Sequence, residues 1–161
     1  MGIVLFRVDE RLIHGQVVVG WGAQLHPDLI VVVDDDIAAS PWEQELYGIG
    51  LPGEIASRFL SVGDARDALP DLRNAPERTM ILTRDVATMR RLGAEGTLRG
   101  ADVNIGGIHY APGRDRVLPY VYLSEAERVE IRQLSQDGAT VTARDLPGAH
   151  RVPLDELLRA G

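Results

Sequence analysis

Five residues, Leu29-Ile30-Val31-Val32-Val33, constrain the fold more than any other stretch of the chain. The run is too short for a buried helix and apolar at every position, so as a strand it has to be covered on both faces. That is the condition of a strand inside a parallel sheet with helices on either side. The remaining segments alternate accordingly. Ile3–Val8 reads as a strand and Gly15–Leu25 as a helix apolar on most faces. Ser40-Pro41-Trp42-Glu43 announces a helix through a capping box with Pro at the first turn.

Phe59–Val62 reads as a strand, and Asp64 as the cap of a short helix that ends near Pro70. Met80–Thr83 is a strand, with Asp85 capping a helix that runs to about Gly93. Ala101–Ile105 and Tyr120–Leu123 are two further strands, and Ser124-Glu125-Ala126-Glu127 is a second capping box opening a helix that stops at Gly138. Ala139–Ala143 is the last strand, and Pro153 starts a helix through Leu158. With no repeat and no linker to divide the chain, the expectation is one α/β domain over residues 1–161. Its core is a mostly parallel open sheet of about seven strands flanked by helices on both faces.

Composition narrows the function classes. Seventeen Lys and Arg stand against 24 Asp and Glu, a net charge of −7, which disfavours gripping nucleic acid or an anionic membrane through the overall field. There is no cysteine, so disulfides, thiolate metal sites and cysteine nucleophiles are excluded. No stretch approaches the roughly 20 apolar residues that span a bilayer. The opening MGIVLFRVDERL carries too many charges for a signal peptide, so the expected location is the cytoplasm.

In open parallel sheets ligands bind beyond the carboxyl ends of the strands. The end of the first strand is the richest in chemistry: Arg7-Val8-Asp9-Glu10-Arg11-Leu12-Ile13-His14-Gly15-Gln16. A helix starting near Gly15 sets the His14 imidazole beside unpaired backbone N–H groups and the positive end of the helix dipole. With Arg11 close by, these groups favour a neutral, nucleophilic ring and also suit a phosphate, which helix N-termini and guanidinium groups both hold. Gly15 lets the backbone approach that anion. A solvated loop with a surface histidine is the plainer alternative on spacing alone.

The run from Arg7 to Val17 resembles the signature of the IIB component of the mannose/fructose/sorbose class of the bacterial sugar phosphotransferase system. Ile30–Asp36 is similar to the family's second strand with its acidic end, and Asn104-Ile105-Gly106-Gly107-Ile108-His109 to its Gly-Gly turn. The Ser124 helix and Val141 strand also fit, so the likeness covers essentially the whole chain. The resemblance implies a cytoplasmic phosphotransferase that takes phosphate from a IIA phosphohistidine. It then passes the phosphate to a sugar entering through the membrane components IIC and IID, with which it associates at the inner face. His14 matches the phosphorylated residue, with phosphate on Nδ1, and Arg11 the arginine that steadies the phosphoryl group. The relay it implies uses no metal and no other cofactor.

Asp9 is expected to orient His14 or position Arg11, a simple loop salt bridge being the alternative. Gln16 is expected to present N–H groups to phosphate or to cap locally with its side chain, and Gly106 and Gly107 to let a neighbouring loop approach the site and its phosphate. Asp34, Asp35 and Asp36 read as caps and solvated turn rather than a magnesium site, and His26 as a helix C-cap or surface residue. His109 and His150 lack the spacing of zinc ligands. Trp21 and Trp42 read as core residues. Val17-Val18-Val19 lies too deep in its helix to form the partner surface that has to surround His14. Two rival functions are a regulatory phosphocarrier in an incomplete system and a nucleotide- or flavin-binding module. The second lacks both G-x-G-x-x-G after the first strand and G-x-x-x-x-G-K-[ST].

Overall fold

Side chains at alternate strand positions divide into two cores, one on each face of a single sheet. Val31, Val33, Ile81, Val103, Ile105 and Val141 face one side; Ile30, Val32, Met80 and Leu82 face the other. The computed structural model describes residues 2–159, so Met1, Ala160 and Gly161 of the expected 1–161 domain lie outside the described residues. Strands β1 (Gly2–Val8), β2 (Leu29–Val33), β3 (Ala56–Leu60), β4 (Arg78–Thr83), β5 (Asp102–Ile105), β8 (Thr140–Ala143) and β9 (Val152–Pro153) form the sheet, in the order β3-β2-β4-β1-β5-β8-β9. All pairings are parallel except β8 with β9. Each fully buried Val, Ile or Leu contributes about 1.5–3 kcal/mol, which makes these two layers the dominant stabilising term.

The first helix, α1, begins as a π-helical turn over Gln16–Trp21 and continues as α-helix over Gly22–Leu25. Such turns concentrate at functional sites. It ends on His26 in the left-handed conformation, φ 50°, so His26 is the C-cap its position suggests. Helices α2 (Asp35–Ala38) and α3 (Pro41–Ile49) follow β2, with Ile37 and Tyr47 in the core that α1 also covers. Helices α4 (Val62–Asn74), α5 (Val86–Leu92), α6 (Glu125–Gln136) and α7 (Leu154–Leu158) supply the opposite core with Leu69, Met89, Ile131 and Leu157.

Several expectations are corrected. Tyr120–Leu123 does not join the sheet: Val121–Leu123 (β7) pairs antiparallel with Asp115–Leu118 (β6) in a separate ribbon, and β9 takes the seventh place. Asp64 is not the cap of α4. Ser61 is, its hydroxyl accepting from the Asp64 N–H at 3.1 Å. The helix also continues through Pro70, because Leu69 and Leu72 keep the buried stripe going across the missing N–H. Ser40 makes no side-chain cap bond, whereas the box at Ser124 forms in both directions. Val19 is 70% exposed, and Trp42, expected in the core, is 65% exposed.

Candidate active site at the end of the first strand

The sheet order places β1 between β4 and β5, while the chain leaves β1 toward β2 on one side and β5 lies on the other. The loops after β1 and β5 therefore diverge, opening the crevice where open α/β sheets bind ligands. One wall is the loop Asp9–Gly15, the other the turn Gly106-Gly107. They are stitched together, Glu10 N–H donating to the Gly107 carbonyl at 2.9 Å. Leu12 closes the first loop with φ 55°, a left-handed conformation that costs a branched residue about 1–2 kcal/mol and is offset by its complete burial.

Strand alternation explains the centre of the site. On the α1 side of the sheet, flanking strands contribute Ile30, Val32, Met80 and Leu82, but β1 contributes Arg7 and β5 contributes Asn104, which are register partners. Arg7 is fully buried. Its guanidinium donates to Asn104 Oδ1, to the Arg144 and Asp145 carbonyls at 2.8 and 3.0 Å, and to Asp9 Oδ2 at 3.1 Å. It lies 5.1 Å from the Trp21 ring centre, and Trp21 Nε1 donates to the same Asp145 carbonyl. Sequence reading placed Arg7 in the motif without giving it a role. The available signal was a charge inside a strand that is otherwise apolar and central.

Asp9, also fully buried, is the hub. Its carboxylate accepts from Arg7, from the Arg11 backbone N–H and Nε at 3.1 and 3.2 Å, and from Arg11 Nη2 at 3.3 Å. Burial pushes the Asp9 carboxyl up, but His14, Arg11 and Arg7 outweigh it and hold the group well below the ordinary carboxylate range. Burial pushes the Arg7 guanidinium down, opposed by Asp9. Two guanidinium groups around one carboxylate leave one net positive charge beside the ring. Arg11 Nη2 also donates to Gln16 Oε1 at 2.7 Å, while Nη1 donates to nothing among the described residues. Gln16 thus uses its side chain on Arg11 and its backbone N–H on His14.

The His14 ring is recessed, its side chain 15% exposed. Nδ1 accepts from the Gln16 N–H at 3.2 Å, which makes Nδ1 the nitrogen with the lone pair and leaves the ring hydrogen on Nε2. Nε2 is buried, and the charge it faces is Asp9 Oδ2 at 3.4 Å. The fold sets Asp9 against both residues it was expected to orient or position, His14 and Arg11. Gly15 has a helical backbone and open space where a Cβ would project.

Gly106 and Gly107 earn their place against side chains. A Cβ at Gly106 would overlap the Arg7 guanidinium, and one at Gly107 would meet Arg11 Nη2 at 3.0 Å. Arg7 is held by four acceptors and cannot yield, whereas Arg11 is 34% exposed and can. Gly106→Ala is therefore expected to destabilise the protein by about 1–3 kcal/mol and Gly107→Ala by less, measured as urea midpoints. Equal costs would refute this reading of the turn. Of the acidic run, Asp34 is buried, caps α2 and pairs with Arg84 at 2.8 Å, while Asp35 and Asp36 are exposed and Asp35 pairs with Arg91 at 3.0 Å. His109 donates its backbone N–H to Glu10 Oε1 at 2.5 Å.

A family model described as the PTS system sorbose subfamily IIB component matches residues 3–161. The chain belongs to that family. It is 32% identical over 148 residues to the N-acetylgalactosamine-specific phosphotransferase enzyme IIB component 1 of Escherichia coli K12, covering 91% of this chain and 92% of that one. It is 27% identical to the mannose-specific EIIAB component of the same strain, spanning 98% of this chain but 49% of that longer protein. The crystal structure of the IIBSor domain of the sorbose permease from Klebsiella pneumoniae superposes with a TM-score of 0.86 at 25% identity, covering 98% of this chain and 96% of that chain. As a IIB component of this class, the chain is a phosphotransferase-system protein of sugar uptake. No helix among the described residues is long and apolar enough to cross a membrane.

Proposed function

We propose that this IIB chain is a phosphoryl carrier that accepts phosphate from a IIA phosphohistidine onto Nδ1 of His14. It then gives the phosphate to a sugar arriving through the membrane components IIC and IID. The observation that carries this reading is the orientation of the ring, with the Nδ1 lone pair facing the first N–H of α1 and Nε2 facing Asp9. In the first step the Nδ1–P bond forms as the donor's N–P bond breaks, in line. Arg11 Nη1, the Gly15 N–H and the Gln16 N–H, which gives up Nδ1 as the bond to phosphorus forms, balance the charge on the phosphoryl oxygens. Asp9 stabilises the charge that develops on the ring, as a carboxylate behind a nucleophilic imidazole does. In the second step a sugar hydroxyl oxygen forms the new bond to phosphorus, its proton is released, and Nδ1 recovers its lone pair. The protein supplies positioning and charge compensation.

Support comes from the family and from the geometry together, and mass spectrometry tests the assignment. After incubation with phosphoenolpyruvate and the upstream carriers, under alkaline conditions that preserve phosphoramidates, the chain is expected to gain one phosphoryl group on the peptide containing His14. A gain mapped to His26, His109 or His150, or no gain, contradicts the assignment.

A further inference from the structure

Unlike α4 and α6, helix α3 has no buried residue. Its apolar stripe faces outward: Trp42, Leu46 and Ile49 lie at positions i, i+4 and i+7 and are 65%, 54% and 80% exposed. The stripe runs into the reactive loop, because Ile13, the residue before His14, shares a surface groove with Trp42, Glu43 and Leu46. A contiguous apolar patch of this kind marks an interaction surface. Its rim is acidic and unneutralised: Glu43 and Glu45 enter no ion pair among the described residues, whereas Glu10, Asp34 and Asp35 are paired with Arg114, Arg84 and Arg91.

Charge decides what covers it. The chain carries −7 overall, so lipid headgroups of an anionic membrane repel it. The cytoplasmic loops of membrane proteins, in contrast, carry an excess of Lys and Arg. An apolar surface with an acidic rim complements such loops. Its continuity with Ile13 means that whatever sits there also seals the His14 crevice from water, which transfer to a sugar rather than hydrolysis requires.

We propose that the α3 stripe together with Ile13, rimmed by Glu43 and Glu45, is the surface by which the chain docks on the basic cytoplasmic loops of its membrane sugar permease. This rests on the carrier function above. The test measures binding of the full chain to nanodiscs holding the IIC–IID permease of its own system, beside the rate of His14 phosphorylation by the IIA donor. The exposed double variant W42A/L46A is expected to bind the nanodiscs roughly 30-fold more weakly. E43K/E45K is expected to bind about ten-fold more weakly and with a flatter salt dependence than the wild type. Both variants are expected to accept phosphate from the donor at the wild-type rate. Unchanged nanodisc binding in the variants overturns the proposal, as does a wild type that does not bind. A raised KM for the donor with nanodisc binding unchanged assigns the patch to IIA instead. A wild-type dimer that the variants convert to monomers, with nanodisc binding unchanged, assigns it to a second copy. A wild type that takes no phosphate from the donor defeats the carrier function itself, and the docking proposal with it.

Discussion

Asp9→Asn is expected to slow phosphorylation of His14 by about two to four orders of magnitude. The substitution keeps the shape of the side chain and removes its charge. In the wild type, Asp9 Oδ2 faces Nε2 and the Gln16 N–H faces Nδ1, so the two contacts select the same tautomer. An amide can instead turn its NH₂ toward Nε2, which puts the ring hydrogen on Nδ1 and removes the lone pair that attacks phosphorus. The carboxylate that balances the developing ring charge is lost as well. Capture of the anionic donor is not the defect, because removing one negative charge raises the local net charge from about one to about two. The loss therefore falls on kcat, with KM for the phosphorylated donor unchanged or lower. Rapid-quench kinetics separates the two, and ¹⁵N spectra of His14 report the tautomer directly. A rate within about threefold of wild type would contradict the role given to Asp9.

Arg7→Ala is expected to cost about 3–5 kcal/mol of folding stability, since it takes one of two cationic partners from a buried carboxylate and leaves a cavity beside Trp21. Asn104 Oδ1 and the Arg144 carbonyl lose their donor in the same step, and the Asp145 carbonyl keeps only Trp21 Nε1. The loss carries a pH signature. Asp9 is depressed in the folded chain, burial being outweighed by His14, Arg11 and Arg7. A depressed carboxyl contributes stability above its unfolded value of about 3.9, and that stability is lost as pH falls through the folded value. Removing Arg7 takes away one of the groups holding Asp9 down, so the acid limb of the stability profile moves to higher pH. Urea unfolding between pH 3 and 7 (a range chosen about the ordinary carboxylate value) measures both effects. A cost below about 1 kcal/mol with an unmoved acid limb would show that the buried pair does not organise the site.

Uniformly apolar runs declared the sheet clearly. Leu29–Val33 pairs in parallel on both sides, as its composition requires, and Ile3–Val8 is a central strand whose end carries the reactive loop. The edges were less legible, for physical reasons. Val152–Pro153 is too short to have a period, and Val121–Leu123 looks like any other strand because local sequence does not say whether its partner is the main sheet or a ribbon. Trp42 shows the same limit. A helical apolar stripe reads as core unless it is known what lies opposite, and on α3 Trp42, Leu46 and Ile49 are exposed. At the site, His14, Arg11, Asp9 and Gln16 were legible as candidates because the motif gathers them in one short stretch running from the loop into the first turn of α1. Arg7 and Asn104 were given no role, because they meet each other only once β1 and β5 pair across 97 residues of chain. Gly106 reads as a turn residue in sequence, and only the fold shows that its missing side chain makes room for a guanidinium.

The proposed carrier function requires phosphoryl transfer to the Nδ1 lone pair of His14, with Asp9 across the ring at Nε2. Long-range ¹H–¹⁵N spectra of the phosphorylated chain, read for coupling to phosphorus, test it most directly. The expected result is phosphorus on Nδ1 of His14 with the hydrogen retained on Nε2. Phosphorus on Nε2, or on any other side chain, would contradict it.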